Sequence, residues 1–282
     1  MNSLAANPSL KLAVYQYAAR DETPDSRLER LDDILSSAKD APFDLVVCPE
    51  LFLSGYNVGA KIADLSQAQD GSYAAAAAEI VQRHRTALVC GYPEAAGEQR
   101  FNSAMVIDGN GRRQANHRKL RIPNGFERDW FAPGGNYTML DIAGFRVALL
   151  ICYDVEFPEA VRACALAGAE VVVAPTALKA EWGFVARQLI PSRAFENGVF
   201  LAYANYCGRE NGFVYLGESC IIGPDGAEIA RAGADETLLV GVLKREDVAR
   251  ARTRLPYLEH RGNLDSVAVG GERRSAHEPD VA

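Results

Sequence analysis

Apolar residues follow two alternating rhythms along this chain. Compact runs rich in Val, Leu, Ile and Tyr read as strands at Leu10 to Tyr17, Leu45 to Cys48, Ala87 to Gly91, Phe145 to Ile151, Val171 to Ala174, Phe200 to Asn205 and Thr237 to Leu243. Between them, apolar residues return at helical spacing. Thr23 and Pro24 supply an N-cap and a first-turn proline for a helix whose apolar face is Leu28, Leu31, Leu35 and Ala38. Further helices are predicted over Tyr73 to Arg85, Pro158 to Ala167 with Gly168 as its stop, Trp182 to Asn197 ended by Gly198, and Glu246 to Arg252. Two hairpins stand out. Asp108-Gly109-Asn110-Gly111 joins Ser103 to Ile107 with Gln114 to Leu120, and Gly223-Pro224-Asp225-Gly226 joins Glu218 to Ile222 with Glu228 to Arg231.

This alternation predicts an α/β protein with mixed sheets. No Pro-, Ser- or Gly-rich linker interrupts it, so residues 1–262 are read as one domain. Residues 263–282 read as a loosely structured tail, either mobile or laid over a partner subunit.

Composition narrows the function. With 48% hydrophobic residues among 282, the chain has enough apolar side chains for a large core. A net charge of -7 argues against nucleic-acid binding, which needs a basic face. No stretch approaches the roughly 20 apolar residues that cross a bilayer, and the N-terminus has no charged n-region or long apolar run. The expectation is a soluble cytoplasmic protein. Its six cysteines include no Cys-x-x-Cys pair and its four histidines lie far apart, so neither a metal site nor a cofactor is expected.

Candidate chemistry sits where strands end. Cys152 follows the run Phe145 to Ile151 and precedes a turn and a helix, a placement by which α/β enzymes expose a nucleophile. A free cysteine there is also an ordinary small core residue. Glu50 follows the strand at Leu45 directly, where a carboxylate needs a partner or a role, although a helix cap or a loop charge in water is equally open. Lys119 stands at the end of a strand among His117, Arg118 and Arg121, which by itself reads as a solvated edge. Glu127 comes shortly after, beside Trp130.

Together these residues resemble the nitrilase superfamily of carbon–nitrogen hydrolases, whose hallmark is a Glu–Lys–Cys triad. The matching stretches are Pro49-Glu50 with Ser54-Gly55-Tyr56, Arg118-Lys119-Leu120, and Cys152-Tyr153-Asp154 with Phe157-Pro158-Glu159. Pro175-Thr176, Arg193 to Asn197, Tyr203-Ala204-Asn205 and Gly217 to Gly226 follow in the family's order. The resemblance implies a four-layer αββα sandwich. It also implies Cys152 as nucleophile, Glu50 as general base, Lys119 and the backbone N–H of Tyr153 as oxyanion donors, and Glu127 as a second glutamate that positions substrate or assists proton movement.

Tyr56, Thr176, Ala177 and Trp182 are the candidate substrate-binding residues, Trp182 being equally readable as core. Cys-Tyr-Asp is typical of the family's amidases, whereas true nitrilases usually carry Cys-Trp-Glu. Stretches such as Gly91 to Glu94 and Tyr203 to Gly208 look most like bacterial 5-aminopentanamidases and aliphatic amidases. The implied substrate is a small aliphatic monoamide, including ω-amino ones, cleaved to a carboxylate and ammonia. An N-carbamoyl amine hydrolase on the same scaffold is the alternative, with a nitrilase or a non-catalytic binding protein behind it. A serine hydrolase finds no Gly-x-Ser-x-Gly. His117 departs from the family's usual tyrosine, and Arg121 to Asn124 from its usual continuation, so the acyl pocket is expected to differ. The resemblance further implies a homodimer or higher homo-oligomer, paired through Pro158 to Ala167 and Trp182 to Asn197.

Overall fold

The computed structural model describes residues 8–262 and 264 of the chain. The predicted tail therefore lies outside the described residues, apart from Leu264. In chain order the elements are β1 (Ser9–Ala19), α1 (Pro24–Ser37), β2 (Leu45–Val47), α2 (Lys61–Leu65), α3 (Ser72–His84), β3 (Ala87–Ala96), β4 (Gln99–Ile107), β5 (Arg113–Arg118) and α4 (Glu127–Trp130). The second half holds β6 (Thr138–Ile142), β7 (Phe145–Leu149), α5 (Pro158–Leu166), β8 (Val171–Pro175), α6 (Ile190–Asn197) and β9 (Phe200–Ala204). It continues with β10 (Tyr206–Glu210), β11 (Phe213–Val214), β12 (Cys220–Ile222), β13 (Glu228–Arg231), β14 (Thr237–Lys244), α7 (Arg245–Arg254) and α8 (Tyr257–His260).

Two sheets form. One has the order β11-β10-β1-β2-β3-β4-β5, with β14 antiparallel to β1; the other has the order β13-β12-β9-β8-β7-β6. Each contains a parallel centre, β10-β1-β2-β3 in the first and β7-β8-β9 in the second, with antiparallel pairings outside it.

Strand alternation explains the layering. On β1, Leu10, Leu12 and Val14 point into the core between the sheets, while Ala13, Tyr15 and Tyr17 join the core that holds Leu28, Leu31 and Leu35 of α1. On β7, Phe145, Val147 and Leu149 face the inter-sheet core, while Ala148 and the following Leu150 pack with Val161 of α5 and Ala194 of α6. Both faces of each central strand are covered, which is why these strands read as nearly continuous apolar runs. The result is a four-layer αββα sandwich.

Local signals act as anticipated at α1, where the Thr23 hydroxyl accepts from Ser26 N–H at 3.2 Å. The helix predicted over Trp182 to Asn197 is instead three segments: a 3-10 turn at Ala180–Trp182, a π-helical turn at Val185–Leu189, and α6. Pro191 is the physical reason. It has no N–H to donate and crowds the preceding turn, so the ladder widens before α6 begins.

Candidate active site

The parallel centres of both sheets end at the same place, and the turns that leave them carry the chemistry. Chain direction after β2 is set by a tight turn in which Leu51 takes a positive φ of 49° and its carbonyl accepts from Gly55 N–H at 2.9 Å. This turn lies directly on β3. A Cβ at Gly91 would stand 2.4 Å from Leu51 N and 2.5 Å from Pro49 O, so only glycine lets the turn approach that closely. The Glu50 side chain is thereby held fully buried, with its own N–H donating to Thr176 O at 3.4 Å.

Cys152 is presented in a similar way. It leaves β7 at a positive φ of 47°, opens a 3-10 turn over Cys152–Glu156, and is followed by α5. A non-glycine residue in that region is strained by about 1–3 kcal/mol and persists only where its surroundings hold it. Asp154 does the holding. Its buried carboxylate accepts from Ile151 N–H at 3.1 Å within the turn, and from Leu120 N–H at 3.1 Å and Arg121 N–H at 2.7 Å just beyond β5. One carboxylate thus ties the cysteine turn to the backbone that follows Lys119.

Lys119 is fully buried. Its Nζ donates to Glu50 Oε1 at 2.6 Å and to the two oxygens of Glu127 at 2.7 and 2.9 Å. Glu127 is further held by the Tyr56 hydroxyl at 2.6 Å. Asn102 of β4 donates to Glu50 Oε1 at 2.7 Å and to Glu127 Oε2 at 3.2 Å, bridging the two carboxylates. The other oxygen of Glu50, Oε2, is buried with no hydrogen-bond partner among the described residues.

The electrostatics follow from burial. Burial pushes the Glu50 carboxyl up to about 7, against the pull of Lys119 and the hydrogen bond from Asn102. Burial draws the Lys119 ammonium downward, but Glu127 and Glu50 outweigh it and hold the group charged, well above its ordinary range. The Cys152 thiol is raised well above its usual value by burial and by the charge on Glu50; Lys119 and a backbone hydrogen bond from Ala177 oppose this. The balance leaves a resting thiol near a carboxylate. Desolvation of sulfur outweighs the ammonium.

Cys152 opens into a cleft of about 540 Å³. Aromatic side chains dominate its walls: Tyr56 and Phe126 meet edge to face at 5.0 Å between ring centroids, Phe213 lies beside them, and Trp182 stands at the rim, 56% exposed. Lys179 also lines the cleft, but its ammonium is paired with Glu181 at 2.5 Å and lies over the Phe213 ring. Glu156, the last residue of the cysteine turn, is half-buried in the same wall, and burial lifts its carboxyl to about 7.

Glu50, Lys119 and Glu127 are thus in direct contact, with Cys152 close enough that Glu50 and Lys119 both act on its thiol. Tyr56 contacts Glu127 and also lines the cleft, as do Ala177, Trp182 and Tyr153. Thr176 does not line it; it is fully buried, and its carbonyl supports Glu50. Trp182 is rim, not core. Sequence reading passed over Asn102 and Glu156. A polar side chain in the apolar strand β4 was a usable signal for Asn102, because a buried amide needs partners. Nothing in the sequence marked Glu156 out from other turn charges.

The chain matches the carbon–nitrogen hydrolase family model over residues 11–253. A protein described as a hydrolase in the pqqF 5' region of Pseudomonas protegens is 41% identical over 262 residues, covering 92% of this chain and 91% of that one. The (R)-stereoselective amidase of a Pseudomonas species is 34% identical over 255 residues, covering 89% and 91%. Among solved structures, a cysteine-to-alanine mutant of the Nesterenkonia AN1 amidase from the nitrilase superfamily superposes with a TM-score of 0.82 at 35% identity, covering 93% of this chain and 98% of that one. The same amidase has been solved in complex with acrylamide and with butyramide. The chain belongs to the carbon–nitrogen hydrolases of the nitrilase superfamily, as an enzyme of the amidase type.

Proposed function

We propose that this enzyme hydrolyses small aliphatic monoamides to a carboxylate and ammonia through a thioester on Cys152. The observation that carries the reading is the unpartnered Oε2 of Glu50, a buried carboxylate oxygen free to accept a proton, on a group whose charge acts on the Cys152 thiol. Glu50 takes the sulfur's proton as Sγ attacks the amide carbon. The carbonyl oxygen becomes an oxyanion, received by Lys119 Nζ and the backbone N–H of Tyr153. The three N–H bonds of Lys119 Nζ are directed at Glu50 Oε1 and at both oxygens of Glu127, so the oxyanion is received by exchanging one of the two bonds to Glu127, which keeps the other. Collapse breaks the C–N bond as Glu50 returns its proton to nitrogen, and ammonia leaves. Glu50 then deprotonates a water that attacks the thioester; the C–S bond breaks and sulfur regains its proton.

Glu127 serves in this scheme as a positioning residue, holding Lys119 with the help of Tyr56 and Asn102. The apolar walls of the cleft suit a short hydrocarbon acyl group, and the butyramide and acrylamide complexes of the Nesterenkonia amidase support the same class. The reading takes residues 1–262 as one catalytic domain and extends to a homodimer paired through α5 and α6, where Leu166 and Phe195 are exposed.

The test is a panel of short amides, nitriles and N-carbamoyl amines assayed for ammonia and carbon dioxide. Ammonia alone, released fastest from amides, is expected, and Cys152→Ala should abolish it while leaving the circular dichroism spectrum intact. Near-normal amide turnover in that variant would end the nucleophile assignment, and carbon dioxide release would move the substrate to carbamoyl amines.

A further inference from the structure

The aromatic cleft contains one carboxylate that the mechanism leaves idle. Glu156 lies four residues beyond Cys152, at the end of the same 3-10 turn, and lines the cleft. Its backbone is fixed, because Arg193 of α6 donates to the Glu156 carbonyl at 2.7 Å. Its carboxylate, by contrast, is acted on by Lys119 and Arg193 through their charge alone, with no hydrogen bond or ion pair to it among the described residues. The neighbouring cations are committed elsewhere. Arg193 binds that carbonyl and Glu196, Lys119 binds Glu50 and Glu127, and Lys179 binds Glu181. A half-buried carboxylate with no donor in contact is costly, and a cationic group arriving with the substrate would relieve that cost.

We infer that Glu156 is a specificity-determining residue that pairs with a cationic group carried on the acyl chain, so that the cleft selects ω-amino amides over purely aliphatic ones. This rests on the amidase reading above and deepens it. The aromatic walls fit the same substrate, since Tyr56, Phe126 and Phe213 bury its methylenes, and ring faces tolerate a nearby ammonium. Selection is strongest when Glu156 is ionised. Burial raises its carboxyl to about 7, while Lys119 and Arg193 pull it down; Cys152 and Tyr203 are the other titratable groups coupled to it. Preference for the cationic substrate should therefore grow as pH rises through about 7.

The decisive comparison uses 5-aminopentanamide and hexanamide, which differ only in a terminal ammonium against a methyl group. Wild-type enzyme should favour the ammonium compound in kcat/KM by about 10- to 100-fold, the range of a charge-assisted hydrogen bond. Glu156→Gln should cut that ratio at least about tenfold and remove its pH dependence, and Glu156→Leu should reverse the preference. An equal fall for both amides would overturn the inference and place Glu156 on the reacting bond. Calorimetric binding of both amides to Cys152→Ala enzyme separates this inference from the hydrolase reading. If wild type hydrolyses neither amide, the hydrolase reading falls. If tighter binding of the ammonium compound survives Glu156→Gln, the present inference falls.

Discussion

At the scale of single residues, the site is a contest between burial and pairing. Two carboxylates and one ammonium are packed together out of water, and Asn102 is the neutral group that lets the carboxylates share a small space. Its N–H bond to Glu50 lowers the carboxyl against the larger upward push of burial. Removing it in Asn102→Ala should raise Glu50 further. In the proposed mechanism Glu50 is a base only when ionised, so the acidic limb of the kcat/KM profile should move to higher pH by roughly one unit, the equivalent of one hydrogen bond of about 1–1.5 kcal/mol. A limb that stayed in place would show that Glu50 is not the group titrating there. Glu50, Lys119 and Cys152 stood out in the sequence because each follows a strand, whereas Glu127, which opens α4, stood out only through the resemblance to a known family. Asn102 and Glu156 did not, since their roles exist only once β4 and the cysteine turn stand beside the other elements.

At the scale of elements, long-range packing decides what local pattern leaves open. The strands around β1, β2, β7 and β8 were legible because burial on both faces leaves an almost unbroken apolar run. Short pieces such as β6, β10 and β11 were not, since each is defined by the neighbour it pairs with and not by its own composition. The extension of β3 to Ala96 has the same cause, for its outer half pairs with β4 through Glu94 and Phe101. Gly91 sits inside that strand as the floor under the Glu50 turn. In Gly91→Ala the added methyl group meets backbone atoms of Pro49 and Leu51, not a flexible side chain, so the turn itself has to move. Overpacking of this kind costs about 1–3 kcal/mol, and displacement of the proposed base by an ångström should lower the rate by about 10²-fold. Urea denaturation and kcat should fall together. A variant with lower stability and full kcat would mean that Glu50 tolerates repositioning.

At the scale of the whole molecule, function imposes a cost on stability that pH exposes. Glu50 and Glu156 are both carried by burial from about 4.5 to about 7. Between those values the folded protein keeps protons that the unfolded chain has released, so stability falls as pH rises through that window. The gradient is at most about 1.4 kcal/mol per pH unit for each proton, and smaller for Glu156, which water partly screens. Glu94 has the opposite sign. Burial pushes its carboxyl up, but hydrogen bonds from Arg118, Gln69, Ser103 and Asn116 win and bring it to about 2. Its contribution is complete above about 4.5 and is lost as pH falls toward 2. The two gradients meet near the ordinary carboxylate range, so the thermal midpoint should peak around pH 4–5 and decline toward neutrality, where the ionised base is needed for turnover. Glu156→Gln should flatten part of the decline between pH 5 and 7, and Glu50→Gln the rest. A wild-type midpoint that climbs steadily from pH 4.5 to 7.5 would contradict this account, because it would mean that neither carboxyl holds its proton in the folded enzyme.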